Sequence, residues 1–122
     1  MFPPNTDHYP RRPPRHMLTP ADIQAMADLI AARFQPEKII LFGSYATGTA
    51  TADSDVDLVV VLDTTDDLLD KTADIRMAVR QFRVPKDILV RTPQMFDQER
   101  VVDWTVFSEA ERHGRLLYAR AS

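Results

Sequence analysis

The sequence predicts an α/β fold in which helices pack on a small β-sheet. Three short apolar runs, at 38–42, 56–62 and 87–90, have the length of buried strands. Segments whose apolar residues recur at helical spacing lie around these runs, and such an order is typical of a sheet covered by helices. The chain has 122 residues, so we expect one domain.

The first helix is predicted to begin after Thr19. The Thr19 side chain can cap the helix, Pro20 suits the first turn, and Asp22 suits the positive end of the helix dipole. Pro36 ends the helix. The apolar face at helical spacing consists of Ile23, Met26, Ala27, Ile30 and Phe34.

The second half of the chain predicts two more helices and a last strand. The helices are expected over 66–82 and 92–114, and the strand over 116–118. Trp104 and Phe107 fall on one face of the last helix in this interpretation. We expect both in the core, and if they are exposed they are the best candidates for binding a partner.

The N-terminal residues differ in composition from the rest of the chain. Five of the nine prolines lie within residues 1–18, and this segment has no apolar periodicity. Such a segment buries too little surface to offset the entropy of ordering it. We therefore expect a disordered Pro/Arg-rich arm over 1–18 and a folded domain over 19–122.

Composition excludes several classes of function. The chain has no cysteine, which rules out disulfides, zinc thiolates and thiol nucleophiles. The formal net charge is −3, so overall charge gives no support to direct nucleic-acid binding. No apolar run approaches the roughly 20 residues of a membrane span, and no apolar stretch follows the N-terminal arginines as it would in a secretory signal. We expect a cytoplasmic protein that does not enter a membrane.

Gly43 and Ser44 directly follow the first predicted strand. Glycine permits a tight turn and a close backbone approach to a ligand, and the amides of a following helical turn favour an anion such as phosphate. The pair is therefore a candidate phosphate-binding turn, to which the Ser44 hydroxyl adds a donor. A plain turn is the alternative. Tyr45 could stack on a base or pack against the protein.

Asp55 and Asp57 stand at the start of the second predicted strand. Side chains two residues apart on a strand point to the same face, so the two carboxylates converge. Their mutual repulsion calls for a cation, and hard oxygen ligands suit magnesium, which bridges to substrate phosphates. A solvated strand end is the alternative, because Asp is common in turns.

Asp87 opens the third predicted strand. If this strand lies beside the strand of Asp57, the Asp87 carboxylate can join the same cluster. Three carboxylates can hold two metal ions that stabilise an attacking and a leaving oxygen. A junction residue between helix and strand is the alternative.

The combined motif resembles the minimal nucleotidyltransferase (MNT) family of the DNA polymerase beta superfamily. Gly43-Ser44, ten intervening residues and Asp55-Val56-Asp57 reproduce the spacing of that family. Asp87 is similar to the third carboxylate of the family, and residues 114–118 are similar to its closing Gly-x-x-Leu-Tyr segment. The resemblance covers about residues 20–119.

One position departs from the family pattern. Many relatives carry arginine where this chain has Thr47. A cation there would help to neutralise phosphate, and Lys86 or Arg91 are candidates to replace it. The departure bears on reaction rate and nucleotide affinity, and not on the metal site.

The resemblance implies a small mixed β-sheet flanked by helices and a magnesium-dependent nucleotidyltransferase. It assigns Gly43 and Ser44 to nucleotide binding, and it assigns Asp55, Asp57 and Asp87 to catalysis and to the binding of two Mg²⁺ ions. ATP is the implied substrate. Small bacterial members of this type resemble antitoxins of HEPN/MNT pairs, which transfer AMP to a tyrosine of a HEPN-type ribonuclease toxin. Such a toxin is the implied partner.

Two other functions stay open at the level of the sequence. The chain could be a steric antitoxin or binding module whose catalytic site has decayed at Thr47. It could also modify a small molecule such as an aminoglycoside, although no acceptor-binding segment is visible in a chain of 122 residues.

Overall fold

The computed structural model describes residues 17–121, so the arm expected over 1–18 lies almost wholly outside the described range. The helices of this range are α1 (Pro20–Phe34), α2 (Ser44–Thr47), α3 (Leu68–Ala78), α4 (Pro93–Glu99) and α5 (Val106–His113). The strands are β1 (Lys38–Phe42), β2 (Val56–Val61), β3 (Lys86–Arg91) and β4 (Arg115–Ala119). Among residues 17–121, none of the helices combines the length and the apolar character of a membrane span.

The strands form one mixed sheet in the order β3-β2-β1-β4. β2 and β3 run parallel, whereas β1 runs antiparallel to both of its neighbours, β2 and β4. The parallel strands are joined through α3, because parallel neighbours need a crossover connection that is usually a helix. The predicted α/β class and the small mixed sheet flanked by helices are confirmed.

Each face of the sheet buries its own apolar cluster. Successive strand residues point to opposite faces, so Leu58 packs in the larger cluster with Ile30 of α1 and Ile75 of α3. Val59 packs in the smaller cluster with Phe96 of α4 and with Phe107 and Ala110 of α5. Helices therefore cover both faces, and the side chains of β2 alternate between the two clusters.

The start of α1 follows the prediction. The Thr19 side chain accepts a hydrogen bond from the amide of Asp22 at 3.1 Å, and the Asp22 carboxylate accepts one from the amide of Thr19 at 3.1 Å. This reciprocal pair is a capping box. Just upstream, the amide of Leu18 donates to the hydroxyl of Tyr45 at 3.3 Å, so the last residue of the expected arm already contacts the domain.

α3 is shorter than the predicted helix over 66–82. Asp67 caps it by accepting hydrogen bonds from the amides of Leu69 and Asp70, which sets its start at Leu68. At its C-terminal end, Val79 leaves the helical conformation with φ −109° and ψ 19°. Val79 still packs in the larger cluster, so its apolar character extended the predicted stripe past the real end of the helix.

The single helix predicted over 92–114 is wrong, because the segment forms two helices with a break between them. Thr105 marks the start of the second helix: its backbone is extended and its hydroxyl caps α5 by accepting from the amide of Ser108 at 3.0 Å. Trp104 has φ 74° and is 99% exposed, whereas Phe107 is buried. The prediction that these two residues share a buried helical face is therefore also wrong.

Candidate active site

The three predicted carboxylates come to one end of the sheet. In the parallel ladder of β2 and β3, Asp57 lies directly opposite Asp87. Adjacent strands are about 4.8 Å apart, so the two residues are immediate neighbours. Asp55 is exposed one residue before β2, and alternation along the chain gives it the same side as Asp57. This side is the face of Val59, whose cluster with α4 and α5 stops short of the half-buried Asp57.

Gly43 brings the predicted phosphate turn against Asp57. Phe42, the last residue of β1, pairs with Asp57 across the antiparallel ladder. Gly43 has φ 74° and ψ −156°, a conformation that side chains rarely adopt. A Cβ atom on Gly43 would collide with Oδ2 of Asp57 and lie 3.2 Å from its Cγ. Glycine is therefore required for the turn to approach the carboxylate this closely.

Ser44 begins the single turn of α2, which runs to Thr47 and ends at Gly48 with φ 81°. Gly43 has no side chain to cap this turn, so the first amides of α2 receive no side-chain acceptor. One turn is too short for an appreciable macrodipole, and what it offers to an anion is individual N–H groups and the Ser44 hydroxyl.

The neighbouring carboxylates and burial together change the pKa of Asp57. Burial raises the pKa of the Asp57 carboxyl from 3.8 to about 6, with further contributions from the negative charges of Asp87 and then Asp55. The three residues thus interact electrostatically, as converging carboxylates do. A cation bound between them would relieve this repulsion.

The donor chemistry fits magnesium, although the side chains do not form a closed cage. Within residues 17–121, no three His, Cys, Asp or Glu side chains are positioned as a metal cluster. Magnesium is usually held by one or two carboxylates, several waters and substrate phosphates, and does not need an all-protein cage. Asp57 and Asp87 provide two such carboxylates, and Asp57 lies against the Gly43 turn that follows β1.

Lys86 and Arg91 were considered as substitutes for the arginine that relatives carry at the position of Thr47. The side chains of both residues point away from the carboxylates. Arg91 lies at the opposite end of β3 from Asp87, where its guanidinium is 2.9 Å from Glu99 and 4.5 Å from the centre of the Phe107 ring. The Lys86 ammonium donates to the carbonyl of Val84 at 3.2 Å. Neither side chain contacts the carboxylates in this arrangement.

Tyr45 packs against the protein. Its side chain is half-buried against the larger apolar cluster, and its hydroxyl accepts the hydrogen bond from the amide of Leu18. Of the two roles considered for this residue, base stacking and packing, the structure favours packing.

Sequence reasoning missed a basic segment beside the carboxylates. Residues 75–86 lead from the end of α3 into β3 and contain three arginines and one lysine but no acid. The sequence already shows this segment as a run of positive charges in a chain whose net charge is negative. This run became informative once β3 was placed beside β2.

Comparisons with known proteins agree with this geometry. The family described as nucleotidyltransferase domain matches residues 23–116. A protein of Methanocaldococcus jannaschii named "Putative protein adenylyltransferase" is 31% identical over 83 residues, which are 67% of this chain and 78% of that protein.

Two solved structures share the fold. A "putative nucleotidyltransferase" from Sulfolobus solfataricus superposes with a TM-score of 0.52 at 22% identity, covering 80% of this chain and 78% of the other. A chain of a toxin-antitoxin structure with AMP-PNP gives a TM-score of 0.52 at 20% identity, covering 80% and 73%. The match over most of the domain and the curated relative confirm the resemblance drawn from Gly43-Ser44 and the paired aspartates: this chain belongs to the nucleotidyltransferase domain family.

Proposed function

We propose that this nucleotidyltransferase transfers AMP from ATP to a tyrosine of a HEPN-type ribonuclease toxin in the cytoplasm, and so acts as its antitoxin. The observation that carries the proposal is the pairing of Asp57 with Asp87 beside the Gly43 turn. Two relatives support the choice of acceptor and partner. One is named a protein adenylyltransferase, and the other belongs to a toxin-antitoxin structure that contains an ATP analogue.

In this proposal, Gly43 and Ser44 hold the phosphates of ATP, and Asp55, Asp57 and Asp87 hold magnesium. Bound magnesium would supply charge neutralisation at the phosphates and lower the pKa of the attacking hydroxyl. The uncapped amides of α2 and the Ser44 hydroxyl can donate to phosphate oxygens. The chain's contribution is positioning and preorganised charge, which is the main source of catalysis in transfers of this kind.

The reaction is an in-line displacement at the α-phosphorus. The acceptor hydroxyl oxygen forms a bond to this phosphorus, and the bond from phosphorus to the oxygen bridging to the β-phosphate breaks. Pyrophosphate leaves with the electron pair of that bond, and the hydroxyl proton passes to Asp87 or to solvent. The edge position of β3 lets an acceptor reach Asp87 from outside the sheet.

The test is a transfer assay with purified chain, magnesium, ATP labelled at the α-phosphate and the partner protein. We expect covalent label on the partner and one pyrophosphate per label, with both lost in Asp57→Asn and Asp87→Asn. Asp63→Asn, which removes an exposed acid beyond the far end of β2, is the matched control and should remain active. A partner that stays unlabelled would end the proposal.

A steric antitoxin is the second candidate. It is favoured by Thr47 in place of arginine and by the absence of a three-ligand metal cluster within residues 17–121. The double variant Asp55→Asn/Asp57→Asn separates the two functions in cells that express the toxin. A steric antitoxin still protects these cells, whereas an enzymatic one does not.

A further inference from the structure

Four cations form a continuous segment next to the carboxylates. We call Arg76, Arg80, Arg83 and Lys86 the basic edge. They lie within the acid-free residues 75–86, in a chain whose formal net charge is −3. This local reversal of charge sets the segment apart from the rest of the surface.

The charges of the basic edge have no acidic counterpart in the described part of the chain. The five ion pairs found there use Lys71, Arg91, Arg100 and Arg112. Arg76 and Arg80 instead donate to neutral backbone carbonyls, those of Lys86 at 3.0 Å and Met77 at 2.8 Å.

The basic edge borders the catalytic end of the sheet. Lys86 pairs with Val56, one residue before the pairing of Asp87 with Asp57. The carbonyl of Pro85 accepts from the amide of Val56 at 2.9 Å, which ties the approach to β3 to the start of β2. Lys86 and Asp87 are adjacent on β3, but their side chains point to opposite faces of the sheet. Because β3 is an edge strand, a macromolecule that covers the basic edge can reach around this strand to Asp87.

A strand of a partner protein is not expected to pair with the outer side of the edge strand β3. The carbonyls of Pro85 and Arg91 point towards β2, where they accept from the amides of Val56 and Leu62, so the alternate carbonyls of β3 face outwards. Among these, Lys86 already accepts from Arg76 at 3.0 Å and Val90 accepts from the Arg91 guanidinium at 2.9 Å. A partner at this edge would therefore engage side chains rather than extend the sheet.

We propose that the basic edge docks an acidic surface of the acceptor protein and so presents the acceptor hydroxyl to Asp87. This proposal rests on the proposed protein adenylyltransferase function. Complementary charge would steer the acceptor and fix its orientation. The arginines Arg76, Arg80 and Arg83 are all exposed and can each pair with a carboxylate in two-point fashion.

A protein acceptor fits this surface better than RNA does. Met77 is 60% exposed between Arg76 and Arg80, and methionine adapts well to an apolar protein contact. RNA recognition commonly uses exposed aromatic rings for base stacking. Phe82, the aromatic residue of this segment, is half-buried against the core.

The test measures equilibrium binding by the full chain, without any transfer reaction. The probes are a fluorescent oligoglutamate peptide, an oligouridine of equal charge, and AMP-PNP with magnesium. Arg80→Glu/Arg83→Glu alters the basic edge, and Arg33→Glu/Arg120→Glu reverses two exposed charges elsewhere as the matched control. We expect the edge variant to bind the peptide roughly tenfold more weakly, from two lost charge pairs, and the control variant to bind it as the wild type does.

Every other outcome either contradicts the docking proposal or shows that the docking surface and the proposed transfer activity are independent. Equal peptide binding by the two variants overturns it, and so does tighter binding of oligouridine than of the peptide. A loss of AMP-PNP binding in the edge variant, with peptide binding unchanged, assigns the cations to the nucleotide instead. If the peptide difference is found but no AMP transfer occurs, the proposed function fails while the acidic docking surface stands.

Discussion

Asp57 faces Asp87 across the parallel ladder of β2 and β3, and its carboxylate lies so close to Gly43 that a Cβ atom there would collide with it. This contact joins the two halves of the family motif, the glycine turn and the paired acids. It also makes Asp57 the acid on which burial and the two neighbouring charges act together. Several measurable properties of the protein follow from this one position.

The free energy of unfolding should depend on the protonation of Asp57. Its pKa is about 6 in the folded protein against 3.8 for the unperturbed group. Between these values the folded state binds more protons than the unfolded state, so stability falls as pH rises from about 4 to about 6 and then levels off. Asp57→Asn removes this dependence.

Asp57→Asn should therefore be more stable than the wild type at pH 7 in the absence of metal. The expected gain is about 1 kcal/mol after allowing for the partial exposure of the carboxyl, and it should vanish near pH 4. Urea unfolding of both proteins at a series of pH values measures it. A wild type whose stability rises relative to the variant between pH 4 and pH 6 would contradict the raised pKa.

Gly43→Ala should destroy activity and reduce stability. The added Cβ collides with the Asp57 carboxylate, and alanine is strained at φ 74°. We expect a loss of stability of about 1–3 kcal/mol from the strain, and a loss of kcat of roughly 100-fold or more from displacement of the carboxylate. Thermal unfolding and the transfer assay measure the two effects.

Gly48→Ala is the control for the backbone strain alone. Gly48 has φ 81°, but nothing lies within 4 Å of a Cβ built there. This variant should lose about 1 kcal/mol and keep its activity. Equal losses of activity in the two variants would show that the contact between Gly43 and Asp57 is not what matters.

The parts of this fold that sequence predicts well are those where local signals agree. Thr19 has its cap, its proline and an apolar stripe behind it, and 38–42 is an uninterrupted apolar run, so both elements begin where expected. The sequence predicts the pairing of Asp57 with Asp87 only if their two strands are neighbours in the sheet. Spacing along the chain does not determine which strands are neighbours.

The single helix predicted over 92–114 failed because residues at helical spacing do not share one buried face. Val101, Trp104, Phe107 and Ser108 follow each other at helical spacing, although Thr105 caps a new helix between them. Threonine is favoured at helix caps and disfavoured inside helices, so Thr105 was a signal of the break, but the apolar spacing on both sides of it outweighed this signal in the prediction.

Thr47→Arg should improve nucleotide binding. Thr47 is exposed on α2, and its hydroxyl is 3.0 Å from that of Thr49, so its replacement breaks no buried contact. A charged hydrogen bond to a phosphate is worth about 1.5 kcal/mol, so affinity for AMP-PNP with magnesium should rise roughly tenfold. Calorimetric titration measures the change. Thr49→Arg, beyond the turn at Gly48, is the control, and an equal gain there would mean that added charge alone is responsible.

Trp104→Gly should stabilise the protein. Trp104 is 99% exposed, so its indole adds no stability through burial. Its φ of 74° puts the backbone in a left-handed conformation that is strained for a residue other than glycine. Glycine relieves this strain, although it adds freedom to the unfolded chain, and the net gain should be about 0.5–1 kcal/mol. Phe96→Ala, at a fully buried ring packed edge-on to Phe107, should instead cost about 3–5 kcal/mol. Unfolding followed by circular dichroism measures both variants, because the glycine variant lacks tryptophan fluorescence. A Trp104→Gly variant that is less stable than the wild type would mean that the exposed indole makes a stabilising contact within the domain.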